Sequence, residues 1–330
     1  MNTPLRIDVP RRGVMRGYSS AGVVTGLDTR FVHPALFYRG LDDYLAAVGA
    51  FLRAGLTAGE PVFASVPPQR LEPLREYLGP DAERVMLADM SEVGRNPGRI
   101  MTALTDFAGR RGGAGRAWLV GEPIWAGRSA AEIREATRHE ALINLAFAGV
   151  PVTILCPYDV AALPAATLAD AERTHPVLWG DGREQASGAY TDPLVMNAGC
   201  DVLEPAPAGA ERLRFGPRGL VAVRSRARQF ARAAGLSAER VVDLVLAVGE
   251  AAANAVRHGG GGGIASMWRQ AGEIVVEIRD SGRLTNPLAG RRRPDTSAPG
   301  GRGLWMMHQI CDLVELSPGI FRLHVALDSH

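Results

Sequence analysis

Glu250, Asn254 and His258 recur at four-residue spacing in Glu250-x3-Asn254-x3-His258, with Arg257 beside the last. On a helix such positions share a face. An amide oxygen is a magnesium ligand, and a carboxylate one turn away can orient or deprotonate a hydroxyl. Two other pieces carry complementary chemistry. Asp280-Ser281-Gly282 closes an alternating apolar run; a carboxylate at a strand end accepts a hydrogen bond from an adenine amino group, and the glycine lets the ring approach the backbone. Gly300-Gly301-Arg302-Gly303-Leu304 precedes a helical restart, where main-chain N–H groups can cradle phosphate. Each piece alone is weak: Asp-x-Gly is common in turns, and a glycine-rich loop is usually only a loop. All three in this order point to one nucleotide site.

One absence narrows the chemistry. All 37 basic residues are arginine, and the chain has no lysine. A Walker A lysine, a Schiff-base lysine and a kinase-type strand lysine are therefore excluded. Phosphate must be neutralised by arginine, backbone N–H groups or a metal, and Arg302 is the candidate contact.

These residues need elements to hold them. Leu236–Gly263 reads as one long amphipathic helix, capped by Ser237 with Glu239 in its first turn, ending in five glycines. Val242, Leu246 and Gly249 share one of its faces. An arginine-bearing helix, Gly219–Ala234, precedes it. Strands Ile264–Gln270 and Glu273–Asp280 form a hairpin through Ala271–Gly272, a Gly/Pro/Arg-rich loop follows, and Gly303–Ile310 is helical. DLVELS and FRLHVAL close the chain as strands. This predicts an α+β sandwich with helices on one face of an antiparallel sheet.

The first half has another rhythm. Strands at FVHPALFY, Pro61–Val66, Arg84–Ala88, Ala117–Glu122 and Val152–Tyr158 alternate with helices over Asp42–Leu56 (capped by Asp42), Pro68–Leu78, Pro97–Arg111, Ser129–Ala148 and Val160–Arg173. Ser129 and Glu132 have capping-box spacing. The alternation predicts an α/β domain with a mostly parallel sheet covered on both faces. The boundaries read as a tail over 1–27, the α/β domain over 28–185, a Pro/Ala/Gly-rich linker over 186–212 and the second domain over 213–330. Separate hydrophobic patterns predict separately packed halves.

At 330 residues, 46% hydrophobic and 22% charged, this is the composition of a two-domain globular protein. No apolar run approaches a membrane span and no signal-peptide core opens the chain, so a cytoplasmic location is expected. A net charge of +2 gives no case for nucleic acid, and the Arg224–Arg232 and Arg291–Arg293 clusters read as solvated faces or phosphate contacts. Cys156, Cys200 and Cys311 form neither a disulfide framework nor a zinc pattern.

Two resemblances follow. Arg214–Leu327 resembles the GHKL (Bergerat-fold) ATPase superfamily: EAAANAVRHG its N box, RDSGR its G1 box and GGRGLWMM its G2 box. The short lid and the E-x3-N-x3-H-G form resemble the anti-sigma-factor serine/threonine kinase branch. The resemblance implies ATP and Mg²⁺ as cofactors, Asn254 as magnesium ligand, Asp280 as adenine contact and Gly282, Gly301 and Gly303 as close-approach glycines. Arg257, His258, Arg302 and Leu304 belong to the same boxes, and Glu250 would be the base. The final strand, GIFRLHVAL, lacks the small hydroxyl residue that many members place near adenine.

Residues from about Asp28 to Trp179 resemble the MEDS sensory domain, through HPALFYR, RAGLTAGEPVFASV, GRNPGRI, GEPIW-AGRS, RHEALINLAF, CPYD and RTHP. The resemblance implies a RecA-like fold; PPQRLEPLRE after strand Pro61–Val66 carries no P-loop. It also implies a small-molecule ligand. His33, Tyr38, Glu122, Arg128, His139, Cys156 and His175 are the candidate sensory residues, with Glu140, Trp125 and Tyr158 nearby. A metal at His33, Cys156 and His175 has no support from spacing.

Together the resemblances imply a signal-responsive anti-sigma regulator of transcription and stress response. It would bind a sigma factor, phosphorylate a serine of a STAS-type anti-anti-sigma partner and form a homodimer. Two alternatives stand beside it. One is a sensor histidine kinase with His139-Glu140 as an H box; the other is a non-catalytic ATP-binding module that sequesters the sigma factor.

Overall fold

The computed structural model describes residues 31–109, 115–180, 183–294 and 301–327; the tail expected over 1–27 lies outside them. The first domain runs β1 (Phe31–Val32), β2 (Pro34–Tyr38), α1 (Gly40–Thr57), β3 (Val62–Val66), α2 (Pro68–Leu78), β4 (Met86–Asp89), α3 (Met90–Val93), α4 (Pro97–Gly109), β5 (Ala117–Gly121), α5 (Ala130–Ala146), β6 (Val152–Asp159), α6 (Ala165–Thr174), β7 (Val177–Gly180), β8 (Arg183–Ala186) and α7 (Pro193–Gly199). The second runs β9 (Glu211–Phe215), α8 (Leu220–Ala233), α9 (Ala238–His258), β10 (Gly263–Gln270), β11 (Glu273–Arg279), α10 (Arg302–Ile310), β12 (Leu313–Ser317) and β13 (Ile320–Ala326).

The first sheet has the order β4-β3-β5-β6-β2-β7-β8, with β1 also paired to β6. Every pairing is parallel except β7 with β8. Its central strands β3, β5 and β6 are mostly apolar and buried on both faces, and β3 is buried at all five positions. One residue, Arg39, joins β2 to α1, and one, Pro67, joins β3 to α2. Neither connection has room to wrap a phosphate. Ser129 caps α5 with the full capping box: its hydroxyl accepts from the Glu132 N–H, and the Glu132 carboxylate accepts from the Ser129 N–H. Asp42 is not the cap of α1; that helix starts two residues earlier, and Asp43 accepts from the Arg39 N–H at 2.8 Å.

The second sheet is antiparallel throughout, in the order β12-β13-β11-β10-β9. Helices α8, α9 and α10 share one core with it. Along α9, Leu244, Val245, Val248, Ala251, Ala252 and Ala255 face the sheet, and the small residues allow close packing. Each fully buried valine or leucine contributes roughly 1.5–3 kcal/mol. Val242 and Leu246 lie on the opposite side and are exposed, because 3.6-residue periodicity carries Val241 and Val245 inward instead.

Strands β7 and β8 extend the first sheet up to the start of the stretch expected to link the domains, 186–212. Within that stretch α7, capped by Asp192, packs on α5, and 202–207 lies in no helix or strand. Strand β9, unread in the sequence, adds the edge of the second sheet. Its alternation is in-facing Leu213 and Phe215 among arginines, too short to stand out.

Candidate functional site: the nucleotide cleft and its lid

Ten residues chosen from the sequence come together. Glu250, Asn254, Arg257 and His258 of α9, Asp280 and Gly282 after β11, and Gly301, Arg302, Gly303 and Leu304 at the start of α10 line one cleft of about 530 Å³. The sequence reading missed Leu316, Ser317, Ile320 and Phe321, which also line it from the β12–β13 hairpin. The Ser317 hydroxyl donates to the Asp201 carbonyl at 2.7 Å. Ser317 precedes the segment inspected for a hydroxyl residue and is brought back to the cleft by the turn.

Asp280 is held from both sides. Its N–H donates to the Gly319 carbonyl at 2.9 Å, and its Oδ1 accepts from the Gly282 N–H at 2.6 Å. A Cβ on Gly282 would come within 2.9 Å of the His258 carbonyl, so the turn tolerates no side chain there. Gly301, with φ 79°, is the N-cap of α10 in the left-handed region that glycine adopts without penalty. The first turn of α10 thus lies beside the cleft, and the N–H groups of a helix N-terminus are suited to phosphate.

Glu250 projects against that same turn: a Cβ on Gly303 would fall on its Oε2. Arg257 approaches Glu250 only to 3.9 Å, and its Nη2 donates to the Asn254 Oδ1 at 3.3 Å. Arg257 is exposed, so this contact is easily displaced, and the amide oxygen fits a magnesium ligand.

The lid between β11 and α10 leans on the first domain. Arg291 is 1% exposed and its Nη2 lies 2.7 Å from the Glu135 Oε2 of α5, itself fully buried. The Thr102 hydroxyl of α4 donates to the Arg291 carbonyl at 3.1 Å, and the Trp305 indole donates to that hydroxyl at 3.2 Å. Leu288 packs into the core of the first domain. Arg134 of α5 pairs with Glu315 of β12, and Asn96 Nδ2 donates to the His308 carbonyl at 3.1 Å. Reading Arg291–Arg293 as a solvated or phosphate-binding cluster was wrong for Arg291. A burial partner on another domain leaves no local sequence pattern. The two halves have separate cores but not separate surfaces.

The sensory candidates divide into two groups. His33, Cys156 and His175 meet Glu140 in a buried cluster under the sheet. Tyr38 and Glu122 meet at the carboxyl ends of the strands: the Tyr38 hydroxyl donates to Glu122 Oε1 at 2.9 Å, and Arg70 donates to Tyr38 and to Asp159. Burial pushes the Glu122 carboxyl up to about 8, against the lowering effect of the Tyr38 hydrogen bond. Arg128 and His139 join neither group. Arg128 stacks on Trp125 at 4.0 Å and donates to the Gly94 carbonyl. His139 is 1% exposed, and burial pushes its imidazole down to about 4.

Comparison with protein families places both halves. Residues 32–176 match the MEDS family, the methanogen/methylotroph DcmR sensory domain, and residues 214–325 match the histidine kinase-like ATPase domain. The chain therefore carries a MEDS domain followed by a histidine-kinase-like ATPase domain of the GHKL type, which supports ATP binding and kinase-like regulation. Comparison with curated proteins gives no match. Among the described residues no helix is long and apolar enough to cross a membrane.

Proposed function

We propose that the chain is a signal-responsive anti-sigma regulator: its second domain binds Mg-ATP and a sigma factor, and phosphorylates a serine of a STAS-type partner. The observation that carries this is the placement of Glu250. It lies one helical turn before Asn254, and its carboxylate abuts the first turn of α10, with the exposed Arg257 reaching it only at 3.9 Å. A carboxylate between the metal-binding amide and the phosphate cradle is positioned to orient an incoming hydroxyl. Phosphoryl transfer relies on such positioning and on charge stabilisation. ATP supplies the phosphoryl group, Asn254 would hold the magnesium, and Arg302 and the α10 N–H groups would hold phosphate.

A sensor histidine kinase fits less well. His139 is buried inside the first domain, where no γ-phosphate can reach it. A binding module without chemistry uses the same cleft and differs only at Glu250.

The test is incubation of the full chain with γ-labelled ATP and a purified STAS-type partner. Label on the partner's serine is expected, and Glu250→Gln lowers the single-turnover rate by at least about a hundredfold while ATP still binds. Acid-labile label on the chain itself would favour the histidine reading. Absence of label on any protein would leave the binding module.

A further inference from the structure

The buried cluster in the first domain has the dimensions of a metal centre. His33, just before β2, Cys156 in β6, Glu140 in α5 and His175, just before β7, are each 0–1% exposed. The His33 Nε2 lies 3.1 Å from the Glu140 Oε2 and 3.4 Å from the Cys156 Sγ. The Cys156 Sγ and the His175 Nε2 lie 3.3 and 3.4 Å from that same oxygen. All four donor atoms fall within 4.8 Å of one another. A tetrahedral ion with metal–nitrogen and metal–oxygen bonds of about 2.0–2.2 Å and a metal–sulfur bond of about 2.3 Å has edges of roughly 3.3–3.6 Å. Four of the six separations are already at or near that edge, and only His175 needs to swing inward.

Hydrogen bonding outside the cluster settles the imidazole tautomers. Asn144 Nδ2 donates to the carbonyls of Glu140, Ala141 and Thr174, so its Oδ1 is the atom facing His33 Nδ1, at 3.1 Å. His33 Nδ1 must then be the donor. His175 Nδ1 lies 2.8 Å from the Ala171 carbonyl and must donate as well. With both imidazoles neutral, their Nε2 atoms present lone pairs toward one carboxylate oxygen, and that of His33 toward one sulfur as well. This is the outer-shell pattern that orients histidines bound to metal. Among these acceptors only the Cys156 thiol, which donates to the Glu140 Oε2, brings a proton; a divalent cation at the centre would displace that proton and turn every one of those contacts favourable.

We propose that His33, Glu140, Cys156 and His175 form a closed, four-protein-ligand site for a divalent transition ion of the zinc class. The mixed nitrogen, oxygen and sulfur set suits a borderline ion over magnesium or calcium. With all four positions filled by protein, the ion has no open site for catalysis, so its work is to hold structure. It ties the starts of β2 and β7 and the middle of β6 to α5. Five residues along α5 from Glu140, Glu135 grips Arg291 of the lid, so the ion fixes the helix that holds the nucleotide domain.

The experiment uses the full chain, because the site is buried and must load during folding. Protein from zinc-supplemented growth is expected to retain about one zinc per chain after dialysis. Protein from cobalt-supplemented growth is expected to show tetrahedral ligand-field bands and a thiolate-to-cobalt charge-transfer band. Cys156→Ser removes the charge-transfer band, and Cys200→Ser, which changes a buried thiol elsewhere, retains it. If Cys156→Ser does not fold, zinc X-ray absorption on the wild type decides: one sulfur among four ligands is expected, and no sulfur or several overturns the site. Folded wild-type protein without stoichiometric metal after these growths overturns it too, as does a cobalt spectrum that Cys156→Ser leaves unchanged.

Discussion

Arg291 in the lid of the nucleotide cleft and Glu135 on α5 of the sensory domain form an ion pair 2.7 Å long that is buried at both ends. The Arg291 Nε and Nη1 find no hydrogen-bond partner among the described residues, so the pair carries the cost of a charge taken out of water with only part of its described hydrogen bonds made. Such pairs fix geometry more than they add stability. Here the geometry fixed is that of the lid, by the domain that resembles a sensor.

Breaking this pair tests whether the sensory domain restrains the lid. Removing one partner of a buried pair costs about 3–5 kcal/mol, although Glu135 keeps Arg138 at 2.9 Å. As a hypothesis, Arg291→Ala frees the lid, speeds ATP release by about tenfold or more and exposes the 283–294 stretch to protease. Stopped-flow release and limited proteolysis measure both. Wild-type values in a folded variant would show that the lid holds itself.

The two domains also meet through a missing side chain. Gly98 of α4 lies against the His308 ring, and a Cβ there would overlap it. Gly98→Ala is therefore predicted to wedge α4 from α10 while leaving both cores intact. Small-angle scattering should show a more extended particle, and heating should separate one transition into two. A compact particle with one unchanged transition would contradict this.

In the cleft, Asp280→Asn changes one acceptor oxygen to a donor where the adenine amino group is expected. An unsatisfied polar group there costs about 1–3 kcal/mol, roughly ten- to a hundredfold in affinity. Calorimetry with ATP should show that loss, and unchanged affinity would remove Asp280 from the site. Asn254→Ala should weaken the magnesium dependence of binding more than binding itself. Full magnesium dependence in that variant would reassign the amide.

Glu122 gives a pH dependence with a definite sign. Its folded-state value of about 8 lies above the ordinary 4.5. The folded chain holds a proton that the unfolded chain releases, so stability is fully present below 4.5 and is lost as pH rises toward 8. Glu122→Gln cannot titrate and still accepts from Tyr38. Its melting temperature should exceed that of wild type by a margin that grows between about pH 5 and about pH 8. A constant margin would mean that Glu122 is ionised throughout.

Much of this protein was legible in its sequence because much of its chemistry is local. Glu250, Asn254 and His258 sit on one helix, where four-residue spacing alone aligns them. The capping box of α5, the β10–β11 hairpin and both fold classes follow from patterns a few residues long. All of these depend on backbone geometry shared between neighbours in the chain.

Only the tertiary structure decided the rest. His33, Glu140, Cys156 and His175 converge because parallel crossovers bring β2, β6 and β7 side by side, and spacing along the chain does not encode strand order. Leu316, Ser317, Ile320 and Phe321 reach the cleft only after β12 and β13 fold back beside β11. Arg291 looked like one of three solvated arginines, and it is buried because Glu135, 156 positions away, meets it there. A side chain's neighbours in sequence set its conformation; its burial and its charge partners are set by whatever surface the rest of the chain places against it.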